Sequence, residues 1–313
     1  MNNLELATKE EIENMIRKIK DDPFVLETAN FVMLSRCCVD AQKNKNLIGV
    51  IGNPGLGKST ALEKHVQRFP HTYIVKVGKS MNAKQFWGTV LERIIFDQEN
   101  IYSKVSNDHF KMLNGDTDSI QEEYEIQRKL LKQYEALMKY NEGSKIGLKS
   151  GWTLNDIVKR IAENLNATAI EFETNNLLIL DEAGKFDKPA QLEYLHEVRD
   201  ATEKTTGIVI AGPPYWRRTL LQWSERGING IPEVVSRIHD WIELESPKGN
   251  EIREIAKVYG INDKSTINEF KNVRDFRALM HRIEKYYKEK LNEIIEEENQ
   301  SMLNLNNKMY ATN

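Results

Sequence analysis

Two short stretches carry residue types whose spacing could do chemistry. The first is Gly52, Asn53, Pro54, Gly55, Leu56, Gly57, Lys58 and Ser59, which satisfies G-x-x-x-x-G-K-[ST] in full, with Thr60 following. An apolar run, Leu47–Ile51, precedes it, and a helical pattern with Leu62 and Val66 inward follows it. Glycines at positions 55 and 57 let successive backbone N–H groups turn towards one anion. The N-terminus of the helix behind them adds the positive end of its dipole. Lys58 supplies a point charge for the β- and γ-phosphates of a nucleoside triphosphate, and Ser59 offers a hydroxyl to Mg²⁺. The chemistry such a loop serves is the binding of ATP with magnesium.

The second stretch is Leu177–Leu180 followed by Asp181 and Glu182. A buried parallel strand delivers its C-terminal end to the ligand crevice, so Asp181 is expected beside the phosphate loop, holding magnesium directly or through water. Glu182 is then placed to orient and deprotonate an attacking water. A small-molecule kinase has no need of a carboxylate that activates water. The pair therefore points to ATP hydrolysis, with Glu182 and Lys58 as catalytic residues and Ser59 and Asp181 as the metal-binding pair.

These residues need a scaffold, and the apolar runs predict one. Leu47–Ile51, Tyr73–Val77, Leu177–Leu180, Gly207–Ala211 and Trp241–Leu244 are short, apolar and mostly separated by helical stretches. Strands apolar on both faces that alternate with helices predict an α/β fold with a parallel sheet covered on both sides. Residues 1–45 read as a helical extension, with a capping box at Thr8 and Glu11, a break at Asp22–Pro23 and a second helix over about 27–43. Residues 46–246 read as the nucleotide-binding domain. Residues 98–150 interrupt its rhythm as an insertion, with a long helix or helical hairpin over 121–140 and a loop over 143–151. This insertion is either a solvated decoration or an arm for a partner or subunit. Residues 247–313 read as three helices, over 250–259, 265–271 and 273 to about 298, followed by a frayed polar tail.

Composition sets the outer limits. The chain has 313 residues, 40% hydrophobic and 29% charged, with a net charge of −3. That balance argues against coating nucleic acid by bulk charge and leaves room for a local basic patch. Cys37 and Cys38 are adjacent and form neither a disulfide framework nor a zinc pattern. No leader-like start and no apolar run of about 20 residues is visible, so a cytoplasmic protein is expected.

The motifs resemble those of the AAA+ superfamily of P-loop ATPases. Within it the chain is similar to the transposition ATPases of the MuB and TnsC kind and their ExeA-like relatives. The likeness rests on the 52–60 loop, Leu177–Gly184, Ile208–Pro214, Val235–Ile238 and Asn272–Arg277, and it spans about residues 30–285 apart from the insertion. It implies a five-stranded sheet in the order 5-1-4-3-2 sandwiched by helices, with a small all-helical C-terminal lid. It implies ATP bound at the interfaces of a homo-oligomeric ring or filament. Arg237 matches the arginine finger that acts in trans on a neighbour's ATP, and Arg274 or Arg277, at the start of a helix, matches the lid arginine called sensor 2. The pattern departs at sensor 1, where Gly212, Pro213 and Pro214 offer no polar side chain. Slow hydrolysis, with ATP as an assembly clock, follows from that departure.

The resemblance also implies sequence-independent binding of double-stranded DNA and a transposase as protein partner. Lys79 and Lys84 match the DNA-lining loop after the second strand. Lys76, Lys185, Lys188, Arg217 and Arg218 are further candidates, while Phe86 and Trp87 read as core. The first 45 residues show no clear helix-turn-helix. The function expected is ATP-dependent regulation of transposition. The alternative is a switch or remodelling ATPase of phage defence, secretion or replication loading that acts on a protein.

Overall fold

The computed structural model describes residues 8–21, 26–113 and 121–311. The expected break at Asp22–Pro23 lies outside them. The chain forms two compact units. The larger comprises residues 33–52 and 58–244, and the smaller comprises 1–32, 53–57 and 245–313. Helices α1 (Lys9–Asp21) and α2 (Ala29–Asn44) precede the first strand.

The larger unit holds one sheet. Its strands are β1 (Leu47–Ile51), β2 (Thr72–Lys76), β3 (Asn176–Asp181), β4 (Thr206–Gly212) and β5 (Ile238–Glu243). They lie in the order β2-β3-β4-β1-β5, every pair parallel. Read from the other edge, this is the order expected. The helices are α3 (Lys58–Arg68), α4 (Ala83–Leu113), α5 (Gln121–Ser150), α6 (Leu154–Glu171), α7 (Leu195–Ala201), α8 (Pro214–Glu225) and α9 (Ile231–Arg237). Every residue of β1, β3 and β4 is buried. Such strands carry apolar side chains on both faces because helices cover both faces. The edge strand β5 is half-exposed and carries His239 and Asp240 outward.

Close approach in this sheet depends on two glycines. A Cβ at Gly49 would stand 2.4 Å from the Trp241 ring on β5. A Cβ at Gly207 would stand 2.0 Å from the Ala41 carbonyl oxygen of α2. The second neighbour is backbone and cannot swing aside. Gly207→Ala is therefore expected to destabilise the protein by about 1–3 kcal/mol, read as a shift of the urea midpoint at unchanged slope.

Residues 98–150 depart from the reading in two ways. First, α4 starts in the core and runs into the segment without a break, with Phe86, Trp87, Val90, Leu91, Ile94 and Ile95 buried. Second, 143–150 is helix rather than loop, and α5 ends only at Gly151, whose φ of +91° suits the residue after a helix. Gly143 and Gly147 misled the reading. They sit four apart on one helical face, where a Cβ at Gly147 would lie 1.8 Å from the Trp152 ring. They serve close packing and not chain reversal. A fully buried polar cluster fixes the segment to the core. The Gln98 amide nitrogen lies 3.1 Å from Tyr73 Oη, 2.8 Å from Asn164 Oδ1 and 3.0 Å from Thr168 Oγ1. Asn141 Nδ2 donates to Gln98 Oε1 at 2.9 Å, and Asn164 Nδ2 donates to Asn141 Oδ1 at 2.7 Å. Buried amides paired in this way tie α4, α5, α6 and β2 into one body.

The smaller unit is helical: α1, α10 (Gly249–Val258), α11 (Lys264–Phe270) and α12 (Phe276–Ala311). Its core gathers Ile12, Ile19, Ile252, Ile255, Ile267, Phe270, Leu279 and Ile283. The capping box at the start of α1 is present: Thr8 N donates to Glu11 Oε2 at 2.7 Å and Glu11 N to Thr8 Oγ1 at 3.3 Å. The tail expected to fray from residue 300 instead continues α12 to Ala311.

Candidate functional site

The phosphate loop leaves the buried strand β1 and enters α3, as its sequence requires. Gly52 N donates to the Gly212 carbonyl at 3.1 Å, which carries the β1–β4 pairing to the loop's first residue. Gly55 and Gly57 have φ of +84° and +80°, conformations open to glycine and costly to other residues. Leu56 is buried and anchors the turn, while Asn53, Pro54 and Thr60 are exposed. Lys58 is the first residue of α3 and its Nζ donates to the Gly52 carbonyl at 2.6 Å, across the mouth of the loop. Within the smaller unit, Gly55 O accepts from Phe276 N at 3.0 Å, and the Asp275 carboxylate that caps α12 packs against Gly55.

Asp181 ends β3 with 1% of its surface exposed. Burial pushes its carboxyl up from the ordinary range, and the bonds from the Ser59 hydroxyl and Glu182 N–H hold it partly down. Asp181 Oδ1 accepts from Glu182 N at 2.8 Å, whereas Oδ2 is buried with no hydrogen-bond partner among the described residues. A buried carboxylate oxygen with no partner is costly alone, and together with the Ser59 hydroxyl near the same carboxyl it is well matched to a hard divalent cation, which takes oxygen ligands. Ser59 and Asp181 thus fit magnesium, and the loop amides with Lys58 fit the phosphates it accompanies. Glu182, one residue on, has φ of +61°. The left-handed turn breaks the strand's alternation, so that its side chain does not simply continue the alternation of β3.

Three features at this strand tip were not read from the sequence. The Lys185 ammonium pairs with Glu182 Oε2 across a one-turn 3₁₀ helix, Ala183–Lys185. Tyr215 Oη donates to the Gly184 carbonyl at 3.1 Å, so the segment after β4 steadies that turn. The buried Gln191 ties two loops together. Its Nε2 donates to Met81 O at 2.6 Å, and its Oε1 accepts from Asp187 N at 3.1 Å and Lys188 N at 3.0 Å. Only the three-residue spacing of Glu182 and Lys185 was visible beforehand.

The basic candidates divide. Lys79 and Lys84, on the loop after β2 and the start of α4, are exposed, as is Lys188. Lys76 is engaged with Glu63 at 2.6 Å. Arg217 lies over the Trp241 ring at 5.1 Å, and Arg218 is exposed. Arg237 ends α9 immediately before β5, as expected. It is bound by its own chain: Nε and Nη2 reach the two oxygens of Asp200 at 2.5 Å each, and Nη1 donates to Glu233 O at 2.8 Å. That bond holds the Asp200 carboxyl below the usual range. Arg274 and Arg277 are both exposed. They do not share a helical face, since Arg274 precedes α12 and Arg277 is its second residue.

The model of the AAA domain family matches residues 41–221, more than half of the chain, and this range includes both the phosphate loop and the acidic pair. The chain belongs to the AAA domain family. This AAA protein is accordingly an ATPase with the P-loop AAA+ fold. No curated protein matches it. Among solved structures it is similar to the ORC1 protein of Aeropyrum pernix in complex with DNA, at 11% identity and TM-score 0.47, over 88% of this chain and 64% of that one. It is similar to CDC6P of Pyrobaculum aerophilum at 13% identity and TM-score 0.47, over 84% and 62%. The Walker-type ATPase of Pyrococcus abyssi aligns at 13% identity and TM-score 0.47, over 91% and 77%. The AAA protein thus spans less than two thirds of the first two chains, and likeness at this level transfers no residue roles. No described helix is long and apolar enough to cross a membrane.

Proposed function

We propose that this AAA ATPase is a nucleotide-driven assembly switch that binds double-stranded DNA without regard to sequence and regulates transposition by recruiting or activating a transposase. The observation that carries the switch is the orphaned, buried Asp181 Oδ2 beside Ser59, with Glu182 next along the chain. In this reading Ser59 and Asp181 hold magnesium, which screens the charge that builds on the phosphates. The amides of 52–60 and Lys58 hold the triphosphate, and Glu182 receives the proton of the attacking water. Gly212, Pro213 and Pro214 bring no polar side chain to the end of β4, in keeping with slow turnover suited to a clock. Arg237 serves a neighbouring copy, which requires it to exchange Asp200 for phosphate. That exchange is open because the pair is partly exposed, and a phosphate offers the guanidinium the same two-pronged acceptor geometry as the Asp200 carboxylate. Arg274 or Arg277 serves the γ-phosphate of its own copy. Residues 247–313 act as the lid, and residues 1–45 and 98–150 as additions to the nucleotide-binding domain.

For DNA, exposed Lys79 lies on the loop after β2 and exposed Lys84 at the start of α4, and Gln191 fastens that loop to the one bearing Lys188. Electron microscopy and filter binding with duplex DNA, with and without ATP, test the reading. ATP-dependent assemblies on DNA are expected, and a chain that binds no duplex at low salt removes the DNA function. Lys79→Ala with Lys84→Ala should weaken binding equally on unrelated sequences. The slope of log affinity against log salt should fall by roughly two, about 0.9 per lost phosphate contact. An unchanged slope would place the DNA elsewhere.

A further inference from the structure

The outer face of α4 carries large apolar side chains into solvent, and its two ends differ in shape. Phe96, Ser103 and Phe110 recur every seven residues, nearly two helical turns, and so share one stripe. Phe96 is 54% exposed, Phe110 is 64% exposed, and Leu113, one turn beyond Phe110, is 58% exposed. The surface at the Phe96 end is hollow. A cavity of about 460 Å³ opens there between α4 and α5, with Ile95, Phe96 and Leu148 in its wall. Arg93 steadies the Phe96 ring, its guanidinium 5.7 Å from the ring centre and held in turn by Asp97 at 2.8 Å. At the other end, Phe110 and Leu113 form an apolar knob. Ser103 lies midway between Phe96 and Phe110 and is small and exposed.

We propose that this face of the α4–α5 arm pairs two copies of the chain about a two-fold axis, independently of nucleotide. Knob and hollow cannot meet within one copy, because they lie on one continuous helix about 21 Å apart, from the rise of 1.5 Å per residue. A second copy whose α4 runs antiparallel across the first brings them together. With the axis at Ser103, Phe110 of each copy meets the hollow beside Phe96 of the other, so the contact is made twice. Charge agrees with this pairing. Glu92, exposed among the residues of the hollow, makes no ion pair among the described residues, whereas Glu99 is taken by Lys145. Lys111, exposed beside Phe110, is likewise without an ion pair among the described residues. The antiparallel arrangement carries Lys111 of each copy towards Glu92 of the other. A foreign protein would have to supply both a knob and a cation at that spacing, and this chain already carries both. A two-fold contact closes on itself, whereas contacts made head to tail build rings and filaments. The pairing goes beyond the nucleotide-driven assembly proposed above and does not depend on it.

Sedimentation velocity of the full chain over a range of concentrations tests this, and omitting nucleotide keeps the result separate from the ATP switch. A monomer–dimer equilibrium is expected. Phe110→Glu should weaken the dimer by about a hundredfold or more, since each dimer buries two such rings. Its circular-dichroism melt should match the wild type, because Phe110 is exposed. Lys111→Glu should weaken the dimer about tenfold, since each dimer holds two such ion pairs, and adding Glu92→Lys to that variant should restore it. Ser103→Cys should crosslink into a covalent dimer on mild oxidation, because a residue on a two-fold axis meets its own counterpart. The native Cys37 and Cys38 are buried and do not compete. Glu135→Cys, exposed on α5, should stay uncrosslinked. A wild-type chain that is monomeric at every concentration overturns the proposal, as does a dimer that Phe110→Glu leaves intact. A charge swap that fails to restore the dimer, or a Ser103→Cys chain that does not crosslink, overturns the antiparallel arrangement.

Discussion

Lys58→Ala should lose nucleotide affinity by roughly a hundredfold and abolish measurable hydrolysis, while the fold stays intact. The ammonium already reaches across the loop to the Gly52 carbonyl at 2.6 Å, so it stands where a phosphate would be gripped. A hydrogen bond to a charged group contributes about 1.5–3 kcal/mol, and the upper end of that range corresponds to the factor stated. No other charged side chain in 52–60 can take over, since the rest of the loop offers main-chain amides and hydroxyls. Stability should hardly change, because Lys58 is only partly buried at the first position of α3 and alanine is the best helix former. Titration with a fluorescent ATP analogue, beside a circular-dichroism melt, separates the two. Wild-type affinity in the variant would remove the 52–60 loop as the binding site.

Glu182→Gln should cut kcat by about a hundredfold or more, the usual worth of a positioned general base, with analogue affinity unchanged. Glutamine keeps the shape of the side chain and can still accept a hydrogen bond, but it cannot take up the water's proton. The left-handed backbone at Glu182, φ of +61°, is a local strain that such a substitution leaves in place. The phosphate grip and the Ser59–Asp181 pair are untouched, so bound ATP should persist and assemblies formed with ATP should outlast those of the wild type. Size-exclusion chromatography with light scattering after ATP addition reads that lifetime. Hydrolysis by Glu182→Gln at the wild-type rate would show that another group activates the water.

Much of this protein was legible before folding because the decisive signals are local. A phosphate loop is a contiguous stretch whose glycines, lysine and serine act through their own backbone. Its identity therefore survives in the one-dimensional string, and φ of +84° and +80° at Gly55 and Gly57 realise what the glycines imply. The strands were legible for a related reason. Two-sided burial demands unbroken apolar runs, and β3 and β4 are buried at every residue. Asp181, the carboxylate proposed for magnesium, was legible as the first acid after such a run. Tertiary structure decided what depends on partners distant in sequence. Arg237 spends its donors on Asp200, 37 positions earlier, and Gln191 reaches back to Met81, 110 positions earlier. Neither pairing leaves a periodicity behind. Gly143 and Gly147 show the same limit from the other side. A glycine signals either a turn or a close neighbour, and the Trp152 ring against α5 chose between them. Short-range geometry is set by residue type and spacing, whereas a side chain's partner is set by which surfaces the finished packing brings within about 3 Å, the reach of a hydrogen bond.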